Sequence, residues 1–141
     1  MENAIKIHHL TKEYPGFRLG SFDLSLPSGS IMGLVGENGA GKSTTIKLIM
    51  NAIQQPDSGA ISVLGMDNQS TVFHDVKEDI GVVLDEAYFP EMLNAKDVGR
   101  IMAKTYRRWE PETYARYLQR FDLPLTKAFK DYSRGMKMKL A

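Results

Sequence analysis

The sequence predicts an α/β layer structure followed by a helical subdomain, on three observations. Short continuous apolar runs, "IMGLVG" (31–36) and "IGVVL" (80–84), read as strands buried on both faces. Segments with helical spacing separate such runs, and strands alternating with helices build layered sheets. After residue 85 the strand-like runs give way to two amphipathic helical stretches, dividing the chain into a core at 1–85 and a helical subdomain at 86–141.

Each element follows from its residues. "AIKIHHL" (4–10) and "FRLGSFDLSL" (17–26) read as strands, with Phe22, Leu24 and Leu26 alternating with Asp23 and Ser25. "YPG" between them and "PSGS" (27–30) after them carry turn chemistry. The 31–36 run then meets the glycine-rich "ENGAGKS". A helix follows, with Ile46, Ile49, Met50 and Ile53 spaced to share its apolar face. "QQPDSG" (54–59) stops it. "AISVL" (60–64) is a strand and "STVFHDVKED" a short helix. Beyond 85, "NAKDVGRIMAKTYRR" (94–108) places Val98, Ile101, Met102 and Thr105 on one face, with Asn94 and Asp97 suited to cap its start. "PETYARYLQRF" (111–121) aligns Tyr114, Tyr117, Leu118 and Phe121, an aromatic stripe that reads as core, and Pro111 fits a first helical turn. No internal repeat or low-complexity segment is present.

Composition bounds the function. The 141 residues, 43% hydrophobic and 25% charged, suit a globular domain able to bury a core. Without cysteine, a disulfide framework and a thiolate metal site are excluded. His8 and His9, adjacent in a strand-like run, are expected on opposite faces, and His74 stands alone, so no metal role is expected of the histidines. No run approaches the length of a membrane span, and the N-terminus lacks the pattern of a signal peptide, so an intracellular protein is expected. The net charge of +1 is unevenly spread. Residues 1–95 carry 6 Lys+Arg against 12 Asp+Glu; residues 96–141 carry 12 against 5. Solvated helix faces account for this, and an anionic or membrane-adjacent partner is the alternative.

"GENGAGKST", Gly36 to Thr44, fits G-x-x-x-x-G-K-[ST]. Glycines let such a loop wrap so that successive backbone N–H groups point at a phosphate. The loop opens onto a helix N-terminus, whose partial positive charge favours the same anion. Lys42 supplies a point charge for the β- and γ-phosphates, and Ser43 Oγ is suited to ligate Mg²⁺. Gly36, Glu37, Asn38, Gly39, Ala40, Gly41, Lys42, Ser43 and Thr44 are therefore the expected phosphate-binding residues.

"GLVGENGAGKSTTIKLIMNAIQQPDSGAISVLG" resembles the nucleotide-binding subunit of an ABC transporter, and the resemblance covers essentially the whole chain. It looks closest to the ATPase subunits of bacterial exporters of drugs, peptides or antibiotics. It implies a P-loop NTPase core with an antiparallel β subdomain and an appended helical subdomain, with ATP and Mg²⁺ as ligands. Tyr14 in "LTKEYPG" matches the aromatic that stacks on adenine in this family. "IGVVLDEAYFPEMLNAKDV" (80–98) matches the Q-loop region, where Asp85 stands in place of the family's glutamine as a hard ligand for Mg²⁺, with Glu86 as the adjacent alternative. "YSRGM" (132–136) matches the family signature L-S-G-G-Q. Ser133 and Gly135 are kept, while Tyr132, Arg134 and Met136 depart from it. Ser133, Arg134, Gly135 and Met136 are thereby implied to bind, in trans, the γ-phosphate of ATP held by a second ATP-binding subunit.

The resemblance also implies a Walker B strand, a catalytic glutamate and a switch histidine after the signature, and none follows before Ala141. The expectation is an N-terminal fragment, truncated before Walker B, that binds nucleotide, contains no catalytic residue and is hydrolysis-deficient. The full-length protein would be an ATPase on the inner face of the cell membrane, engaging a polytopic membrane subunit through residues 85–100, with no nucleic-acid partner. Two alternatives stand beside it. One is a soluble ABC-type ATPase of translation or DNA repair, to which the basic second part is suited. The other is a free-standing P-loop NTPase or kinase, in which "GVVLDE" would end in a Walker B aspartate, Asp85, and a base, Glu86. That reading leaves "YSRGM" and Tyr14 unexplained.

Overall fold

Residues 3–27 form one long hairpin. Strand β1 (Asn3–Tyr14) and strand β2 (Phe17–Pro27) pair antiparallel across a tight turn, where Gly16 takes a left-handed φ of 79°. The computed structural model describes residues 2–83 and 89–141. Strand β3 (Ser58–Val63) pairs with the other edge of β1, and β4 (Met66–Asp67) extends it, giving the antiparallel order β2-β1-β3-β4. Helix α1 (Lys42–Ile49) contacts β3, and α2 (Phe73–Lys77) contacts β4. Ile7, Leu10, Leu19, Leu48, Ile61, Val63 and Phe73 are buried here. Fully buried Asn68 ties α1 to the sheet. Its Nδ2 donates to the carbonyls of Leu48 (2.7 Å) and Ile49 (3.1 Å) in the last turn of the helix, where Leu48 O also accepts from Asn51 N–H at 3.0 Å.

One irregularity in this sheet corrects the sequence reading. Ile7 pairs with Leu24 and Leu10 with Phe22, so His8 and His9 together oppose the single residue Asp23. This is a β-bulge, with two residues facing one. His9 takes a φ of 47°, and strict alternation is lost. The two imidazoles therefore do not face apart. Their centroids lie 4.1 Å from one another.

The two continuous apolar runs form no strands among the described residues. Residues 31–36 and 80–83 join no ladder, and Ile31 and Val35 are 103% and 93% exposed. A parallel strand needs neighbours to hydrogen-bond, and no parallel pair is present among the described residues. The apolar face expected on α1 shifts for the same reason: Thr45 and Leu48 are buried, whereas Ile46 is 47% exposed.

Two compact units divide the chain, Met1–Asp79 and Ile80–Ala141. The second holds α3 (Ala95–Thr105), α4 (Pro111–Arg120), a 3-10 turn (Phe129–Asp131) and α5 (Arg134–Leu140). Asn94 and Asp97 form a reciprocal capping box at the start of α3, and Pro111 occupies the first turn of α4. Ala95, Val98, Leu118, Leu123, Phe129, Tyr132 and Leu140 make its core. At Gly99 a Cβ would lie 2.8 Å from the Tyr114 ring, so the absent side chain lets α3 and α4 approach. Tyr114 then donates its hydroxyl to the Ala95 carbonyl at 2.9 Å, and burial pushes its pKa up to about 12. The expected aromatic stripe is only half core. Tyr114 and Leu118, four apart, face α3, while Tyr117 and Phe121 are exposed and pair with each other at 5.9 Å.

Candidate nucleotide-binding site

The glycine-rich loop is shaped by its own lysine. Lys42 Nζ donates to the carbonyls of Gly36 (2.6 Å) and Glu37 (2.7 Å), and Ala40 N–H closes a turn on Glu37 O at 3.1 Å. An ammonium has three donors, so one remains for an incoming oxygen. Gly41 begins α1 in the left-handed region, at φ 96°, with no side-chain cap on the helix. The first-turn amides of α1 are therefore left without a capping side chain. A Cβ on Gly41 would lie 2.7 Å from Leu19 Cδ1 and 3.0 Å from Phe17 Cζ, so the hairpin packs directly on the loop. Buried Thr45 fixes the first turn by donating Oγ1 to Gly41 O at 2.9 Å.

These residues line a cleft of about 430 Å³, formed by Phe17, Asn38, Gly39, Gly41, Lys42, Ser43 and Thr44. Its donors are an ammonium, backbone amides, two hydroxyls and an amide side chain. This set fits a polyphosphate, and Ser43 adds a hydroxyl oxygen of the kind a phosphate-bound Mg²⁺ accepts.

Tyr14 stands beside this cleft through Phe17, the two rings stacked at 6.5 Å and 26°. Tyr14 and Phe17 also line a second hollow with Glu13, Gly16 and Arg18. Lys12 underlies the tyrosine. Buried to 5% exposure, its Nζ sits 5.6 Å from the Tyr14 ring centre, donates to Gln55 O at 2.8 Å and pairs with Asp57 at 3.3 Å. Asp57 also accepts from Glu13 N–H at 2.6 Å, and that bond chiefly holds its carboxyl below the usual range, with Lys12 adding to it. Phe17 and Lys12 are the residues that sequence reasoning missed. The tight "YPG" turn was the available signal, since it sets Tyr14 opposite Phe17.

The signature segment lies in the second unit. Ser133 is the N-cap of α5 and accepts from Met136 N–H at 3.2 Å. Tyr132, in the position of the family's leucine, is buried in the core cluster and donates its hydroxyl to Pro124 O. Arg134 and Gly135 are exposed on the first turn of α5. A Cβ on Gly135 would meet nothing nearer than Ser133 Oγ at 4.0 Å. Asp85 and Glu86 lie outside the described residues.

The fold and the loop together define the class: a P-loop NTPase core with an antiparallel β subdomain and a helical subdomain. Residues 19–141 match the family model described as ABC transporter, and the chain belongs to that family. It is 36% identical over 111 residues to the ribose import ATP-binding protein RbsA 2 of Burkholderia cenocepacia, covering 77% of this chain and 22% of that protein. It is 29% identical over 143 residues to the bacitracin transport ATP-binding protein BcrA of Enterococcus faecalis, covering 99% and 46%. Among solved structures, an ATP-binding subunit of an ABC transporter superposes with a TM-score of 0.83 at 27% identity, over 97% of this chain and 59% of that one. A dimeric ATP-binding cassette bound to ADP and Pi shares the fold, with a TM-score of 0.76 at 18% identity. The chain thus spans between about a fifth and a half of these curated relatives.

Proposed function

We propose that this chain is the nucleotide-binding part of an ABC transporter ATPase that couples ATP binding and hydrolysis to transport through a separate membrane subunit. The observation that carries the reading is the cleft at the start of α1, where Lys42 keeps one donor free beside uncapped helix amides. In this role Lys42 and the loop amides bind the β- and γ-phosphates, Ser43 contributes an oxygen to Mg²⁺, and Tyr14, backed by Phe17 and Lys12, offers its ring to the base. Ser133 to Met136 face the γ-phosphate held by a second ATP-binding subunit, and Asp85 takes the family glutamine's place at Mg²⁺. The 141 residues taken by themselves are expected to bind nucleotide through this loop. Steady hydrolysis by the pure chain, lost in Lys42→Ala, would instead favour Asp85 and Glu86 as a Walker B pair.

Residues 85–100 are the proposed docking segment for a short helix of the membrane subunit. An apolar hollow of about 460 Å³ in the second unit supports this, with Lys96, Gly99, Arg100, Trp109, Tyr114 and Leu118 in its lining. No helix among the described residues is long and apolar enough to cross a membrane. The reading has the chain act from the inner face of the membrane, beside a separate membrane subunit. The named relatives include a ribose import and a bacitracin transport protein; cargo and direction, export included, belong to that membrane subunit. The test is affinity purification of the full-length protein from detergent-solubilised cells. A polytopic membrane protein is expected to come with it, and recovery of ribosomes or DNA in its place would reverse the reading.

A further inference from the structure

The bulge in β1 builds a second, unrelated cluster. His8 Nδ1 lies 3.1 Å from Asp23 Oδ1, and His9 Nδ1 lies 3.4 Å from Asp23 Oδ2. The carboxylate is itself fixed, because Oδ1 accepts from His9 N–H at 2.7 Å. Among the described residues this is the only group of three His, Asp or Glu side chains whose ligand atoms converge, all within 4.8 Å of one another.

The backbone is committed to this arrangement. His9 is a non-glycine residue at φ 47°, a conformation that needs support from its surroundings. On the neighbouring strand, a Cβ at Gly59 would lie 2.5 Å from the carbonyl oxygens of both His8 and His9, so β3 carries a glycine where the bulge comes close. The bulge thus turns two imidazoles to one side, over a carboxylate whose position is set.

We propose that His8, His9 and Asp23 form a surface site for one divalent transition-metal ion of the zinc, nickel or copper class, each imidazole ligating through Nδ1. The two imidazole nitrogens approach different oxygens of Asp23, at 3.1 and 3.4 Å, and bonds of about 2.1 Å from one ion span both separations when the carboxylate binds through its two oxygens. Two imidazoles and one carboxylate favour these ions over Mg²⁺ or Ca²⁺, which take oxygen ligands. All three residues are exposed, so the remaining positions are open to water. The site is distinct in chemistry from the phosphate loop and does not rest on the nucleotide reading.

The test is titration of the tag-free chain with Zn²⁺ in a large excess of Mg²⁺ and without nucleotide. It is followed by calorimetry and by the imidazole signals in NMR, with Ni²⁺ as a paramagnetic probe. One equivalent should bind, and the His8 and His9 signals should move or broaden while those of His74 stay. His9→Gln and Asp23→Asn should each weaken binding by about tenfold or more. Asp23→Asn keeps an oxygen acceptor for His9 N–H, so the bulge is retained. His74→Gln and Lys42→Ala should leave binding unchanged. Wild-type chain whose His8 and His9 signals ignore both metals, or binding that survives Asp23→Asn and His9→Gln, would overturn the proposal.

Discussion

Gly41 and Gly135 sit in the two motifs of the proposed composite site, yet only one is required by the chain's own packing. Gly41 has a left-handed φ and no room for a Cβ beside Leu19 and Phe17, whereas Gly135 faces open space at the start of α5. Gly41→Ala is expected to cost more than about 1 kcal/mol, while Gly135→Ala is expected to leave stability equal or raise it by up to about 1 kcal/mol. Thermal melting of the two variants checks this, and an equal loss in both would contradict it. The constraint on Gly135 would then come from a ligand or partner. Asp57 offers a test by pH. Its folded-state pKa lies below the ordinary value of 3.8, so its contribution is present above that value and is lost as pH falls through the folded-state value. Asp57→Asn should melt below wild type near neutral pH, and the gap should close in strong acid. At this scale the sequence was legible where chemistry is contiguous, as in Gly36 to Thr44. Phe17, Lys12 and the His8–His9–Asp23 cluster were not legible, because hairpin register and a bulge bring them together.

At the level of elements, α1 is a short helix held at both ends, and its first turn opens from the phosphate loop. Thr45 closes its first turn on Gly41, and Asn68 takes the carbonyls of Leu48 and Ile49 at its last. Asn68→Ala leaves those carbonyls without the buried amide and should cost about 1–3 kcal/mol, read by chemical denaturation. A cost near zero would mean that water replaces the amide and that the helix end is not pinned by this residue. Local signals located most elements well. The capping box at Asn94 and Asp97 and the proline at the start of α4 mark helix starts through interactions three or four residues apart. Which face each helix buries was less legible. Ile46, Tyr117 and Phe121 satisfy a helical period yet remain exposed, since periodicity records spacing and not the presence of a covering layer.

Across the whole molecule, the antiparallel sheet and the helical unit each have a core, but the two most apolar runs in the sequence belong to neither. Residues 31–36 and 80–83 have the composition of buried strands, and no described residue supplies the ladder they would join. Composition predicted burial correctly only where a partner strand lies in the described chain, as for β1 and β3. The phosphate loop is nonetheless assembled, because its supports are local: Lys42 on its own loop carbonyls, the β1–β2 hairpin against Gly41, and Asn68 under α1. The account's central claim is that this assembled loop binds nucleotide. Calorimetric titration of the 141-residue chain with Mg·ATP tests it most directly, with Lys42→Ala compared under the same conditions. Saturable one-to-one binding is predicted, weakened about tenfold or more in Lys42→Ala by loss of a charge-assisted contact, in a variant whose circular dichroism is unchanged. Equal affinity in the two proteins, or no saturable binding by the wild-type chain, would contradict it.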